Sequence, residues 1–167
     1  GISMKAIILG TLLAICASTA ADAQSFNAST RISTFTPSAL KATLAELGAT
    51  TEDRDGVPNM TVRFSNGLVA DALLVACEDQ ATSTNCLGTS ILASFATPKD
   101  ATPEQVREGI NEYNYRQNFG RAYLSPTGTI QVRLYVIADG GITMENYRQM
   151  IGLFAHSAAK LPGYIVG

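Results

Sequence analysis

The sequence predicts an α+β domain in which helices pack on an antiparallel sheet, in the order α-β-β-β-α-β-β-α. Threonine followed by proline, at Thr36 and again at Thr102, is typical of a helix start, because the hydroxyl caps the helix and proline fits its first position. Between and after these points apolar and polar residues alternate, as they do in half-buried strands. Asn66-Gly67 joins two such runs and predicts a tight hairpin. Clustered strands with intervening helices indicate the α+β class.

The N-terminal segment is expected to be removed on export. Residues 1–3 are interpreted as a remnant of cloning and residues 4–23 as a secretory signal, because a positive charge precedes an apolar stretch at 6–17 that is too short to span a bilayer. Small residues predict cleavage between Ala23 and Gln24. We therefore expect a bacterial protein that is periplasmic or secreted, with no membrane insertion once the signal is removed. A retained membrane anchor is the alternative.

The rest of the chain is interpreted as a flexible mature N-terminus, residues 24–35, followed by a single domain, residues 36–167. The first stretch is polar and lacks periodicity, and the second is long enough to bury one hydrophobic core. The formal net charge is −2. This mild acidity argues against a nucleic-acid partner, which would need a basic face.

The first helix and the segment after it are predicted from leucine spacing. Leu40, Leu44 and Leu47 form an apolar stripe, and Gly48 is a natural helix end. Residues 49–52 are compatible with extended backbone but are not counted as a strand.

Three strands are predicted next, at residues 60–64, 68–77 and 87–96. The first and third alternate apolar and polar side chains. The second is apolar on both faces over residues 72–76, so we expect it to lie centrally in the sheet or beneath a helix.

A second helix, a hairpin and a closing helix complete the predicted order. The helix that starts at Thr102 has a possible capping box and an apolar stripe. Residues 119–124 and 129–138 alternate as the two strands of a hairpin. The last helix is expected to begin after Thr143 and to end at Pro162-Gly163.

Cysteine usage predicts one disulfide. Removal of the signal leaves Cys77 and Cys86, an even pair in an exported chain, separated by eight loop-like residues. A redox-active pair is disfavoured because the Cys-x-x-Cys spacing is missing. A metal site is equally disfavoured, since the single histidine, His156, lies far along the chain.

Five short features of the chain together resemble the bacterial YbjN-domain family of sensory transduction regulators, over residues 36–161. They are Asp55-Gly56-Val57-Pro58, the Cys77 to Cys86 connection, Ile110-Asn111-x-x-Asn114, Phe119-x-Arg121-Ala122-Tyr123-Leu124, and Gly140-Gly141. The resemblance implies a fold similar to type III secretion chaperones, often a homodimer, and no established catalytic residues. The export signal departs from many members and puts a cytoplasmic regulatory role in doubt.

Two groups of residues are candidates for a functional or structural site. Arg121 and Tyr123 share one strand face, as do Arg133 and Tyr135 on the next strand. This candidate interaction face could be solvated, covered by a helix, or used at an interface, where arginine and tyrosine are enriched.

Asn111 and Asn114 lie near the end of the second helix. Their amides are expected to bond backbone groups at the junction between helix and strand, with ligand recognition as the alternative.

No residue pattern supports catalysis, a cofactor or a metal. His156 is the imidazole that a hydrolase would have to use, but the chain has no Gly-x-Ser-x-Gly nucleophile motif. Glu104, Glu108 and Glu112 are interpreted as a solvated helix face. The acidic residues near Asp53 do not have the spacing of a calcium loop.

We therefore predict a non-enzymatic, exported adaptor domain that binds a protein or peptide partner, as a possible homodimer. The alternatives are a small-ligand sensor, which would require an apolar pocket between helices and sheet, and a hydrolase that uses His156.

Overall fold

A computed structural model describes residues 24–165 of the chain, and the α+β class with an antiparallel sheet is confirmed. The elements are β1 (Arg31–Ile32), α1 (Pro37–Glu46), β2 (Thr50–Asp53), β3 (Met60–Arg63), β4 (Val69–Val75), β5 (Gly88–Phe95), α2 (Pro103–Arg116), β6 (Arg121–Leu124), β7 (Ile130–Ile137), β8 (Ile142–Thr143), α3 (Met144–Ala158) and α4 (Leu161–Ile165). Six strands form one sheet in the order β2-β3-β4-β5-β7-β6, and β1 pairs with β8 in a separate two-stranded ribbon.

The predicted helix starts are built as the sequence suggests. The Thr36 hydroxyl accepts a hydrogen bond from the Ala39 N–H, and proline occupies the first turn. At α2, the Thr102 hydroxyl and the Gln105 amide form a reciprocal capping box. The Thr143 hydroxyl caps α3 by accepting a hydrogen bond from the Asn146 N–H. These caps fix where each helix leaves the strand or loop before it.

The hydrophobic core lies between one face of the sheet and the helices. In β7 the residues Ile130, Val132, Leu134 and Val136 are buried, whereas the side chains between them are half-buried or exposed. Helix α3 contacts β7 and α2 contacts β6. The alternation therefore separates an inner face covered by helices from an outer face that no described helix covers.

The strand β2 departs from the predicted order. Thr50–Asp53 pairs in antiparallel register with Met60–Arg63 and forms one edge of the sheet. Its side chains are mostly exposed. Because an exposed edge strand needs no apolar alternation, its sequence carries little signal. The predicted central position of the strand at 68–77 is confirmed, since β4 has neighbours on both sides.

The N-terminal segment is tied into the domain before residue 36. Residues of β1 pair with β8, and the Phe35 N–H donates a 2.7 Å hydrogen bond to the Cys86 carbonyl. The Phe35 side chain is fully buried and meets the Tyr147 ring edge-on, with centroids 4.4 Å apart. Residues 31–35 therefore contact the domain that is predicted to begin at residue 36. An isolated aromatic residue in a polar stretch gives no periodic signal of its burial.

The C-terminal end also differs from the prediction. Helix α3 ends at Ala158, and the Pro162-Gly163 pair lies inside α4 instead of terminating α3. Proline is tolerated there because it occupies the first turn of a short helix. α4 packs closely on α2 at Gly109, where a Cβ atom would lie 2.6 Å from the Tyr164 carbonyl oxygen.

Some predictions concern residues outside the described range. The remnant at residues 1–3, the secretory signal at residues 4–23, and the Ala23 side of the cleavage site all lie there. Gln24, the expected mature N-terminus, is described and its side chain accepts a hydrogen bond from the Thr36 hydroxyl at 3.4 Å. None of the helices in residues 24–165 has the length and hydropathy needed to cross a membrane.

Candidate functional site

The four predicted interaction residues lie together on the outer face of the sheet. Arg121 of β6 is directly opposite Arg133 of β7 in the antiparallel register. Tyr123 and Tyr135 follow each arginine by two positions, so all four side chains emerge from the same face. We call these four residues the Arg/Tyr face. Arg121 and Tyr135 are exposed, whereas Tyr123 and Arg133 are half-buried.

The arginines and tyrosines of the Arg/Tyr face stack on one another. The Arg121 guanidinium carbon lies 5.6 Å from the Tyr123 ring centroid and 5.8 Å from that of Tyr135. The Arg133 guanidinium carbon lies 6.0 and 5.5 Å from the same two rings. These distances are within the range of cation–π attraction. The cluster therefore holds two cations at fixed positions on the sheet surface.

The positive charges of this cluster have no acidic partner in the structure. Neither arginine forms a salt bridge with a carboxylate of residues 24–165. Asp71 is on the same face but two strands from Arg133, roughly 10 Å at ordinary strand spacing. Its carboxylate is already bound by Arg54 at 2.8 Å and by Asn59 at 2.7 Å. The Arg/Tyr face is therefore a local positive patch on a chain whose net charge is negative.

Apolar side chains border the Arg/Tyr face. Leu92 pairs directly with Arg133, and Ile137 lies two residues beyond Tyr135 on β7. Ile137 is 56% exposed and Tyr135 is 44% exposed. An exposed surface that combines arginine, tyrosine and aliphatic residues is typical of an interaction site. The direct opposition of Arg121 and Arg133 depends on register, which the strand pattern alone does not give.

Asn114 connects the second helix to the strand that carries half of the Arg/Tyr face. Its amide nitrogen donates to the Ala122 carbonyl at 3.0 Å, and its amide oxygen accepts from the Ala122 N–H at 2.9 Å. In an antiparallel ladder both polar groups of one residue point the same way, so those of Ala122 point away from β7. Asn114 therefore occupies the free edge of β6.

Asn111 does not share this role. It lies exposed on α2 and makes no hydrogen bond to β6 within the described residues. The two asparagines are three residues apart, so Asn111 lies one turn further from the helix end. The predicted junction is thus made by Asn114 alone of the pair.

Cys77 and Cys86 form the predicted disulfide, with an S–S distance of 2.07 Å. The bond closes the loop between β4 and β5. Within that loop, the Glu78 N–H donates a 3.0 Å hydrogen bond to the Thr84 carbonyl. Because the Cys86 carbonyl also accepts from Phe35, the bridge anchors the N-terminal segment as well. The disulfide therefore has a structural role, and it does not lie next to the Arg/Tyr face.

His156 has no catalytic partner in the part of the chain that the structure describes. It is exposed on α3 and lines a small cleft of about 130 Å³ that also includes Ser65 and Asn66. No hydrogen bond or salt bridge joins it to a serine or a carboxylate of residues 24–165. The Asn66 amide in this cleft instead donates to the Ala155 carbonyl at 3.0 Å.

The acidic side chains form no metal site within residues 24–165, where no group of three or more candidate ligands comes together. Glu112 of the predicted carboxylate row pairs with Arg116 four residues later. Asp53 pairs with Lys41 at 2.9 Å. Both pairs are at the surface, where an ion pair contributes little to stability.

A cleft of about 710 Å³ lies between α2 and α4 and exposes polar and apolar surface in similar amounts. Its lining residues are Gln105, Arg107, Glu108, Gly109, Asn111, Glu112, Tyr164 and Ile165. A smaller and more apolar cleft of about 250 Å³ includes Val106 and Leu124. The smaller cleft lies at the surface between the start of α2 and the end of β6.

The perturbed pKa values belong to structural contacts away from the Arg/Tyr face. Burial, and then the neighbouring Tyr164, raises the pKa of Tyr113 to about 12. Burial also raises the pKa of Tyr147, whose hydroxyl is 2.6 Å from that of Thr89. Hydrogen bonds, first from Arg148 and then from Gln149, lower the pKa of Glu145 to about 2.

Residues 36–161 match the model of the YbjN family, described as "Putative bacterial sensory transduction regulator". The chain belongs to the YbjN family. The resemblance stated from the sequence motifs is thereby confirmed over the same residues. No curated protein matches the chain. Among solved structures, the crystal structure of YbjN from E. coli, described as "a putative transcription regulator", is similar with a TM-score of 0.48 and 13% sequence identity, covering 72% of this chain and 90% of that chain.

Proposed function

We propose that this YbjN-family chain is an exported, non-enzymatic domain that binds a protein or peptide partner through the Arg/Tyr face. The observation that carries the proposal is the exposed cluster of two arginines and two tyrosines on a sheet face that no described element covers. Arginine and tyrosine dominate the energetics of protein interfaces because they combine large contact area with directed hydrogen bonds.

Three further observations support individual parts of the proposal. The Cys77–Cys86 disulfide is typical of an oxidising compartment, which agrees with a secretory signal at residues 4–23. His156 lacks a hydrogen-bonded nucleophile or carboxylate in the described residues, which favours binding over hydrolysis. The family description, a sensory transduction regulator, agrees with a role in recognition.

Export is tested by fractionating a bacterial host that expresses the full chain. We expect the protein in the periplasm or the medium. Its intact mass should equal that of a chain that begins at Gln24. Full-length protein that stays in the cytoplasm contradicts this part of the proposal.

Partner binding is tested by capturing proteins from periplasmic extract on the exported chain. Recovery of a specific partner should fall for Arg133→Ala and Tyr135→Ala, because both remove contact area from the Arg/Tyr face. Arg107→Ala is the matched control, since Arg107 is an exposed arginine on α2. Light scattering on each variant identifies whether the captured partner is a second copy of the chain. Unchanged recovery in both face variants overturns the assignment.

A further inference from the structure

The charge arrangement of the Arg/Tyr face indicates what it binds. Arg121 and Arg133 are directly opposed across two strands, at positions where Cβ atoms are about 5 Å apart. Like charges in such positions repel each other. No carboxylate of residues 24–165 offsets them by a salt bridge. A bound anionic group between the two guanidinium groups would remove this repulsion.

The hydrogen-bond donors of both arginines remain largely unused. The Arg133 Nη1 donates to the Tyr135 hydroxyl at 2.7 Å. The Arg133 Nε is shielded from solvent and has no acceptor among the described residues. The contacts with the tyrosine rings restrict the movement of both guanidinium groups, which leaves their remaining N–H groups available to a planar acceptor. A carboxylate fits such a fork with two parallel hydrogen bonds.

The surroundings favour a peptide over a larger polyanion. Leu92 lies beside Arg133 and can pack against an aliphatic side chain, and the exposed Ile137 extends the apolar surface beyond Tyr135. The chain as a whole has a net charge of −2, so it repels an extended nucleic acid or an anionic membrane beyond this patch. A short segment that carries a carboxylate beside an apolar residue matches both features.

The edge of the sheet at β6 constrains how such a segment binds. Strand addition would need the free N–H and C=O groups of Ala122, which Asn114 already occupies. We infer that the Arg/Tyr face binds an acidic peptide segment laid across the sheet, with a carboxylate held between Arg121 and Arg133 and an apolar neighbour on Leu92. This inference rests on the proposed function and specifies in addition that the partner segment is negatively charged.

The test uses the exported full chain and a labelled, capped peptide of alternating glutamate and leucine, about seven residues long. Fluorescence anisotropy should show binding of this peptide and its weakening as salt rises from about 0.05 to about 0.5 M, because salt screens exposed charges. Arg121→Gln and Arg133→Gln should each weaken binding by about tenfold or more, since each removes a charge-assisted contact. Arg107→Gln should bind like the unmodified chain.

The control probes separate this inference from the proposed function. A matched peptide with glutamine in place of glutamate should bind at least about tenfold more weakly. Equal binding of the two peptides, or binding of neither, overturns the acidic-segment inference. If partner capture still depends on Arg133 and Tyr135 in that case, the proposed function stands. Tighter binding to phosphatidylglycerol vesicles or to single-stranded DNA than to the glutamate peptide also overturns the inference.

Discussion

Replacing Asn114 by alanine should destabilise the domain by removing both of its hydrogen bonds to Ala122. Each bond of this kind contributes about 0.5–1.5 kcal/mol net, so the pair contributes about 1–3 kcal/mol. Alanine is a better helix former than asparagine by about 0.5 kcal/mol, and Asn114 lies in the last turn of α2. The expected loss in the free energy of unfolding is therefore about 0.5–2.5 kcal/mol.

Asn111→Ala is the matched control for this prediction. It is the same substitution in the same helix, and both asparagines are exposed, but Asn111 has no hydrogen bond to β6 within the described residues. The helix-propensity gain is common to both variants, so their difference isolates the hydrogen-bond pair at about 1–3 kcal/mol. Urea unfolding followed by circular dichroism measures both values, with equal slopes showing that the unfolding transitions are comparable.

A third variant tests the direction of each bond. Asn114→Asp keeps an acceptor for the Ala122 N–H but places a carboxylate oxygen against the Ala122 carbonyl. It should be at least as destabilising as Asn114→Ala, because two acceptors then face each other. The reasoning is refuted if Asn111→Ala and Asn114→Ala have the same unfolding midpoint.

The remaining predictions concern packing, the disulfide and pH. Gly109→Ala should cost about 1–3 kcal/mol in thermal unfolding, because its Cβ would lie 2.6 Å from the Tyr164 carbonyl oxygen; an unchanged Tm would show that α4 does not pack there. The intact mass of the exported protein should be about 2 Da below that of the reduced protein, because the disulfide lacks two hydrogen atoms. Reduction of the Cys77–Cys86 disulfide should lower the free energy of unfolding by about 2–3 kcal/mol. Free thiols in the exported protein would contradict both the mass and the stability prediction. Burial raises the pKa of Tyr113 from 10.0 to about 12, so its contribution to stability is present below pH 10 and lost as pH rises towards 12. Tyr113→Phe should flatten that alkaline loss, and an identical pH profile would refute its assignment to this phenol.

The helices and the long strands were predictable because their signals are local. Each cap is made by a hydroxyl and its neighbours within three residues, as at Thr36 and Thr102. Strand β7 alternates strictly because one of its faces is packed by helices. In both cases the sequence of the element itself contains the information.

What escaped prediction depends on partners that are distant in the chain. The edge strand Thr50–Asp53 is stabilised by pairing with β3 and not by its own pattern. Phe35 is buried because its N–H bonds the Cys86 carbonyl and its ring packs against Tyr147. Asn111 and Asn114 look alike in sequence, and only the position of Ala122 distinguishes them.

The Arg/Tyr face was predictable as two pairs of residues but not as one charged cluster. Spacing by two places Arg121 with Tyr123, and Arg133 with Tyr135, on one side of each strand. The opposition of the two arginines follows from the register of β6 on β7. Register also places Leu92 beside Arg133.

The junction at Asn114 and the Arg/Tyr face are therefore one structural unit. Strand β6 is four residues long and lies at the edge of the sheet, so pairing with β7 alone holds its register weakly. A slip by one residue would turn Arg121 and Tyr123 towards the helices and expose Ala122. By binding both polar groups of Ala122, Asn114 opposes that slip and blocks strand addition at the same edge. The asparagine thus sets which surface is presented, and the arginines give that surface its positive charge.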